Sequence, residues 1–544
     1  MKIANINNNF LREKKHANTN NENFMGSFVL DGATKFLQTC DKYPMVGVAF
    51  TDSVATDVPR TIFDLIKTGV PAALETARRE FSGLIVNCLL PSFIVLGVAK
   101  GVNRPILGEK FKNIDMSSSW SNGESIEKYV NTFKESMDLS SAKTTRDEIK
   151  TYFTKLFTGL NGRDGDKWVE FSSSLGKEKL NNISETLTNL VFDKSLNKNS
   201  FKNTLSEVST LITDSTRAGE ILSYDVANGK TISSNLSELL RDSVDMARKF
   251  KDSTVRRNLD AFKKQTTKLV NVKSIAGLAI IIPLAMSVQL INRAITRHMY
   301  KQKGAPIYKD FEKGETYHEM TPAQNAKFFS QKLLAAGSML SLALLSMMKK
   351  PNLSMFQFKG MFPTVDQCRW IATATFASRM FASEDPNELR ESTVRDMASF
   401  AGLYFLGDYA GKATASLIEK IRPDVKLTNR LGESTKDSSI LKRAGDWIKN
   451  TTLKSFDEVL PQHKNLRSIC ELASIGFSVI FLGVLLPAYN RKVTEKKVAL
   501  AKEKEMNEKQ AANAANAQLV INLKNDKAFS STGLFGKIVK NRFE

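Results

Sequence analysis

Ser274–Asn292 reads SIAGLAIIIPLAMSVQLIN, nineteen residues without a charge between Lys273 and Arg293. A helix rises about 1.5 Å per residue, so about 20 residues cross a hydrocarbon layer about 30 Å thick. A helix packed on a soluble core carries a polar stripe, and this stretch has none. Three more stretches repeat the pattern. Phe81–Ala99 (FSGLIVNCLLPSFIVLGVA) lies between Arg78–Arg79 and Lys100, Leu333–Met348 (LLAAGSMLSLALLSMM) between Lys332 and Lys349–Lys350, and Leu472–Asn490 (LASIGFSVIFLGVLLPAYN) between Arg467 and Arg491–Lys492. Long basic side chains at such flanks reach toward headgroups. Pro91, Pro283 and Pro487 lie inside three of the stretches, which membrane helices tolerate better than soluble ones. Four such stretches are hard to bury in one soluble core. The sequence therefore predicts an all-α fold: a multi-pass helical membrane protein with a soluble helical insert domain.

Working outward, residues 1–25 are polar and Asn-rich and read as a disordered tail. Residues 27–80 read as a helical juxtamembrane region. There, Val58-Pro59-Arg60-Thr61 opens one helix, and Pro71 opens another in which Glu75 and Arg79, four apart, share a face. The first membrane helix is 81–99. Residues 105–270 then read as a soluble helical domain, with apolar positions Ile126, Tyr129, Val130 and Phe133 at helical spacing and turns at Asn161-Gly162 and Asn228-Gly229. The spans 274–292 and 333–348 follow. Residues 349–470 form a helical region holding a candidate fifth membrane segment, 397–418, which has spanning length but contains Asp408 and Lys412. WIATATFAS, upstream of it, is too short to span and reads as a packed or interfacial helix. After 472–490, residues 491–544 read as a basic helix and tail.

The totals agree. Of 544 residues, 42% are hydrophobic, too few for a chain made only of membrane helices. The net charge of +21 is spread along the chain and gathers beside the apolar stretches, which points to anionic lipid headgroups as partner ahead of nucleic acid. Cys40, Cys88, Cys368 and Cys470 are far apart with no CxxC pair, which argues against a disulfide framework and a structural zinc site. Cys88 and Cys470 read as small packed hydrophobes. No cleaved secretory signal is read at the start of the chain. Cation-rich segments at 293–332 and at the C-terminal end place both in the cytoplasm. With four spans both termini are cytoplasmic and 105–270 lies outside; a fifth crossing at 397–418 would break that agreement.

No motif names a reaction. Gly411-Lys412 has the end of a phosphate loop, but Leu406 stands where the first glycine is required and Ala413 where Ser or Thr would bind magnesium. Asn161–Lys167 looks like a calcium loop but has Arg163 at a ligand position, and reads as a turn. His298 and His318, with acidic neighbours, read as a solvated loop ahead of a metal site. No catalytic residue, cofactor or metal site is assigned. The candidate functional residues are Asp408 and Lys412, four apart and able to pair inside a membrane segment, with Arg60, Glu75 and Arg79. Asn292-Arg293 and Asn490-Arg491 follow two of the apolar stretches, extending to N-R-A-I-T and N-R-K-V-T. The echo fits either a basic interface, the reading preferred, or the trace of a repeat.

The stretch FLQT…VPRT…ETARRE within residues 36–80, with Phe24-Met25-Gly26 behind an Asn-rich start and ELRESTVRD…GDYAGK later, resembles a group of uncharacterised bacterial proteins. The resemblance covers about a quarter of the chain. It implies bacterial origin and membrane association, and no activity; the expected location is the bacterial inner membrane. The leading expectation is a structural or scaffolding membrane protein rather than an enzyme. The alternatives are a transporter or channel using Asp408 and Lys412, and a membrane-bound enzyme acting on lipid.

Overall fold

A computed structural model describes residues 27–525 except 140–143, 165–166, 194–196, 217–220, 227–229, 301–320, 347–355, 359, 361–362, 385 and 431–439. The expectations for the N-terminal tail, His318 and Asn228-Gly229 therefore lie outside the described residues. The fold is all-α. Among the described residues four helices are long and apolar enough to cross a membrane: Val70–Leu107, Leu259–Met299, Pro322–Ser346 and Lys464–Leu519. Each contains or largely contains one of the charge-free stretches. Their outward faces carry large exposed apolar side chains, among them Phe93, Ile280, Leu334 and Ile480.

Three shorter apolar–polar helices complete the bundle: 44–67, Val365–Ala382 and 386–421. Contacts at the two ends give their directions. At one end, here the near end, Thr68 accepts from Arg491, Arg78 donates to Asn292 and Thr296, and Arg297 pairs with Glu384. At the far end, Cys368 Sγ meets Met45 Sδ, the Phe358 N–H donates to Ser274, and the Thr34 and Ser468 hydroxyls share a 2.7 Å hydrogen bond. Hence 44–67, 259–300, 365–382 and 464–525 run from far to near, while 70–107, 322–346 and 386–421 return. The candidate fifth segment does not stand alone in the bundle. It is the second half of a hairpin whose first half, 365–382, contains WIATATFAS. The hairpin begins and ends at the far end, but 44–67 also runs from far to near, so the described chain begins at the far end and finishes at the near end, not with both ends on one side as four spans alone would put them.

Among the described residues four π-turns widen the bundle helices: Ser53–Asp57, Ile85–Leu89, Gly402–Leu406 and Val479–Leu485. Three of them end two residues before a proline, at Pro59, Pro91 and Pro487. Proline has no N–H and crowds the carbonyl one turn back, and one extra residue in that turn relieves the crowding without breaking the helix. At Gly483 an added Cβ would lie 2.7 Å from Pro59 Cβ and 2.9 Å from the Ala55 carbonyl oxygen, so the π-turns at 53–57 and 479–485 cross in near backbone contact.

The insert has its own core, drawn from Leu107 to Val270, in which Ile126, Tyr129, Val130 and Phe133 are all buried. The Phe133 ring stacks on Phe250 at 4.3 Å, and Tyr152 meets Phe250 edge-on at 5.6 Å. A small antiparallel sheet caps it: β1 (Leu160–Asp164), β2 (Lys167–Glu170), β3 (Ile221–Val226) and β4 (Lys230–Asn235), in the order β2-β1-β3-β4. Asn161-Gly162 is therefore strand, not turn. Gly162 pairs with Val169 on one side and Leu222 on the other, so two-sided pairing overrides the local Asn-Gly preference.

The flanking cations also differ from the snorkelling expectation. Lys273 is fully buried, donating to the Ser119 carbonyl with its ammonium 4.9 Å from the Trp120 ring centroid. Arg467 is buried on the Lys454 carbonyl and Glu471. These cations turn inward because acceptors are waiting there, whereas Lys100 and Lys492 remain exposed.

Candidate functional site

Arg60 projects from the turn after Pro59, and Arg79 and Glu80 project from the inward face of 70–107. Opposite them, Arg379 comes from the end of 365–382, and Arg395 and Asp396 from the inward face of 386–421. Arg60, Arg79, Glu80, Arg379 and Asp396 are each at most 5% exposed. Glu80 holds the centre. One carboxylate oxygen accepts from Arg79 at 3.0 and 3.2 Å and stands 3.7 Å from Arg60 Nη1, while the other accepts from Arg379 at 2.9 Å. Asp396 accepts from Arg395 at 3.0 Å and from Arg379 at 3.4 Å. Arg60 Nη2 donates to Ser399 at 2.7 Å.

These six charges join the two halves of the chain, and the halves are wired alike. Arg60 faces Glu80 as Arg379 faces Asp396, and Arg79 precedes and binds Glu80 as Arg395 precedes and binds Asp396. The sequences around them correspond. Ala55-Thr56-x-x-x-Arg60 matches Ala374-Thr375-x-x-x-Arg379, and Glu75-Thr76-x-x-Arg79-Glu80 matches Glu391-Ser392-x-x-Arg395-Asp396. The same alignment sets Gly83 against Ser399. Ser399 binds Arg60, and Arg379 Nη2 lies 3.5 Å from where a Cβ on Gly83 would be. The Asn-Arg echo makes contacts alike in kind. Asn292 and Thr296 take Arg78 from the 70–107 helix, and the Asn490 carbonyl and Thr494 take Arg390 from the 386–421 helix. In the alignment above Arg78 stands opposite Val394, one turn from Arg390, so these two contacts are not at matching positions. Asn103-Arg104 stands outside the pattern, with Asn103 closing the turn at Ile114–Met116.

Of the residues singled out from sequence, Arg60 and Arg79 sit in this lattice. Glu75 lies one turn toward the near end, 4.0 Å from Arg293, which pairs with Glu388. Arg79 shares the buried face with Glu75, but its partner is Glu80. Asp408 and Lys412 do pair, at 2.6 Å, with Lys412 over the Tyr409 ring. They lie toward the far end, where Gly411 approaches the Cys470 carbonyl, and join no other member of the lattice. Sequence reasoning missed Glu80, Arg379, Arg395 and Asp396. The signal that could have found them is the likeness of ETARRE to ESTVRD. Among the described residues no group of three His, Cys, Asp or Glu side chains could hold a metal, and the four cysteines are free and buried.

Burying an ion costs several kcal/mol even after relaxation, and only close partners offset it. The lattice meets this need by sharing two carboxylates among four guanidiniums. The match is incomplete: Arg60 Nε, Arg60 Nη1 and Asp396 Oδ2 have no hydrogen-bond partner among the described residues. Such an arrangement can fasten two halves, or accept a further charged group, but it offers no nucleophile beside a base. No family model, curated protein or solved structure matches the chain.

Proposed function

We propose that the protein is an integral membrane scaffold. Two parallel helical repeats, fastened at their interface by the arginine–carboxylate lattice, hold the 107–270 domain on one side of the bilayer. The observation that carries this reading is the division of the bundle surface. Large apolar side chains point outward from the four long helices, while Arg60, Arg379, Arg395 and Asp396 of the shorter helices point inward into the ion lattice. In water such a surface would aggregate, and in lipid it is solvated.

The near end carries Arg297, Lys332, Arg491 and Lys492, and the positive-inside rule puts it in the cytoplasm. That orientation places the insert and the start of 44–67 outside and the helix beyond Asn490 in the cytoplasm of a bacterium, with anionic lipid around the near end; the expectation of two cytoplasmic termini does not fit these helix directions. Single cysteines introduced at exposed Lys134 or Lys177 in a variant lacking the four native cysteines test it. Labelling by an impermeant maleimide in intact cells is expected, and labelling only after permeabilisation would overturn the orientation. Recovery of the protein from the soluble fraction without detergent would overturn the membrane reading itself.

A further inference from the structure

A cavity of about 40 Å³ reaches from Glu80 and Arg379 toward Met45 and Cys368, between the two repeats. Three sulfur-bearing side chains line it from three helices: Met45 from 44–67, Cys88 from 70–107 and Cys368 from 365–382. All three are buried and belong to one side-chain cluster. The Cys368 thiol donates to the Met45 thioether at 2.7 Å. Cys470 packs elsewhere, with Val425 and Leu427, and Cys40 lies against Gly47. Packing does not demand sulfur at these places, as the repeats themselves show. The alignment that sets Arg60 against Arg379 sets Met45 against Thr364 and Ala49 against Cys368, and the one that sets Glu80 against Asp396 sets Cys88 against Tyr404. Cys88 also stands in the π-turn Ile85–Leu89, where an extra residue re-aims the side chains, and such turns recur at functional sites.

We propose that Met45, Cys88 and Cys368 form a soft-metal site that takes Cu(I) and bridges the two repeats. Thiolate and thioether sulfurs are soft donors that select Cu(I). Structural zinc takes four ligands drawn from Cys, His, Asp and Glu, so a set of three with a thioether does not suit it. Methionine supplies here the third donor that His, Cys, Asp and Glu alone do not. The cavity exceeds the about 15 Å³ that one water needs, so the Met45 and Cys368 sulfurs have room to part around an ion. As the first copper–sulfur bond forms, one thiol gives its proton to solvent, and the thiolate leaves the buried ion neutral. The metal enters as Cu(I) and is neither oxidised nor reduced.

The test uses the full chain in detergent without oxygen, titrated with Cu(I) against a chromogenic Cu(I) chelator. One Cu(I) per chain is expected, and the Cys40→Ser, Cys470→Ser double variant should keep it. Cys88→Ser, Cys368→Ser and Met45→Leu should each weaken binding about tenfold or more. Leucine nearly conserves the volume of methionine, so Met45→Leu should fold even if a serine variant does not. A measurement on the unaltered protein stands beside the variants: X-ray absorption at the copper edge should show sulfur alone in the first shell. No copper bound above the chelator, binding unchanged in Met45→Leu or in both serine variants, or nitrogen and oxygen as the bound copper's neighbours would each overturn the proposal. Zn(II) displacing Cu(I) at equal concentration would overturn the choice of metal. The site does not rest on the scaffold reading: a chain recovered without detergent can be titrated in the same way, so the two fail separately.

Discussion

Replacing Glu80 with glutamine tests the lattice most directly. The carboxylate serves Arg79 and Arg379 by hydrogen bonds and Arg60 by a 3.7 Å ion pair, and it is 5% exposed. Glutamine keeps the shape and one acceptor oxygen but removes the charge. Arg60, Arg79 and Arg379 then lose the carboxylate they share, and Arg379 keeps Asp396 at 3.4 Å. Breaking a buried ion pair from one side costs about 3–5 kcal/mol, because the partner charge stays buried without compensation. At about 2–4 °C per kcal/mol for a body of some 200 residues, the melting temperature should fall by about 6–20 °C. Fluorescence-detected size exclusion after heating in detergent reads this without requiring any activity. The control is Lys134→Ala, which removes an exposed pair with Asp260 and should cost at most about 1 kcal/mol. Adding Arg379→Met to Glu80→Gln removes one stranded cation, so the double variant should be more stable than the sum of the two single losses. A Glu80→Gln loss no larger than that of Lys134→Ala, or strict additivity in the double variant, would refute the claim that the charges are mutually compensating.

The remaining predictions concern packing and the insert. Gly483→Ala forces a methyl to within 2.7 Å of Pro59 Cβ and should cost about 1–3 kcal/mol, read as a lower melting temperature in detergent, with Gly476→Ala, which meets nothing within 4 Å, as the neutral control. A fragment covering 105–270 should fold without detergent and melt cooperatively, since its core is its own, and Phe250→Ala should lower its stability by about 3–5 kcal/mol in urea unfolding. Within it, Lys150 and Arg146 hold the Glu185 carboxyl below the usual glutamate range. A carboxyl depressed in the folded state stabilises above its unfolded value of about 4.3, and that contribution is lost as pH falls through the folded value. Glu185→Gln should therefore melt below the wild-type fragment at pH 7 and together with it near pH 3.

Hydropathy finds helices by what they show to their surroundings, and that explains both what the sequence disclosed and what it withheld. The four apolar stretches were legible because a helix apolar enough to cross a bilayer must be free of charge over a fixed length. The core of the insert was legible in Ile126, Tyr129, Val130 and Phe133, because one face of a helix repeats every three to four residues. Arg60, Glu75 and Arg79 stood out as charges near the first apolar stretch, but nothing local says that Glu80 will meet Arg379, 299 positions away. The same distance hid the 365–421 hairpin. Read alone, Asp396, Arg395, Asp408 and Lys412 make 386–421 too polar to lie among apolar helices. Read beside 70–107, the segment is a second copy: its Asp396 stands where Glu80 stands, and each acid meets the arginine at the end of the preceding helix in its own repeat. A charged helix can enter the bundle because its charges face the other repeat and are answered there. The number of helices in the bundle therefore follows from pairing the repeats, while counting apolar stretches counts only the helices whose outer faces are apolar.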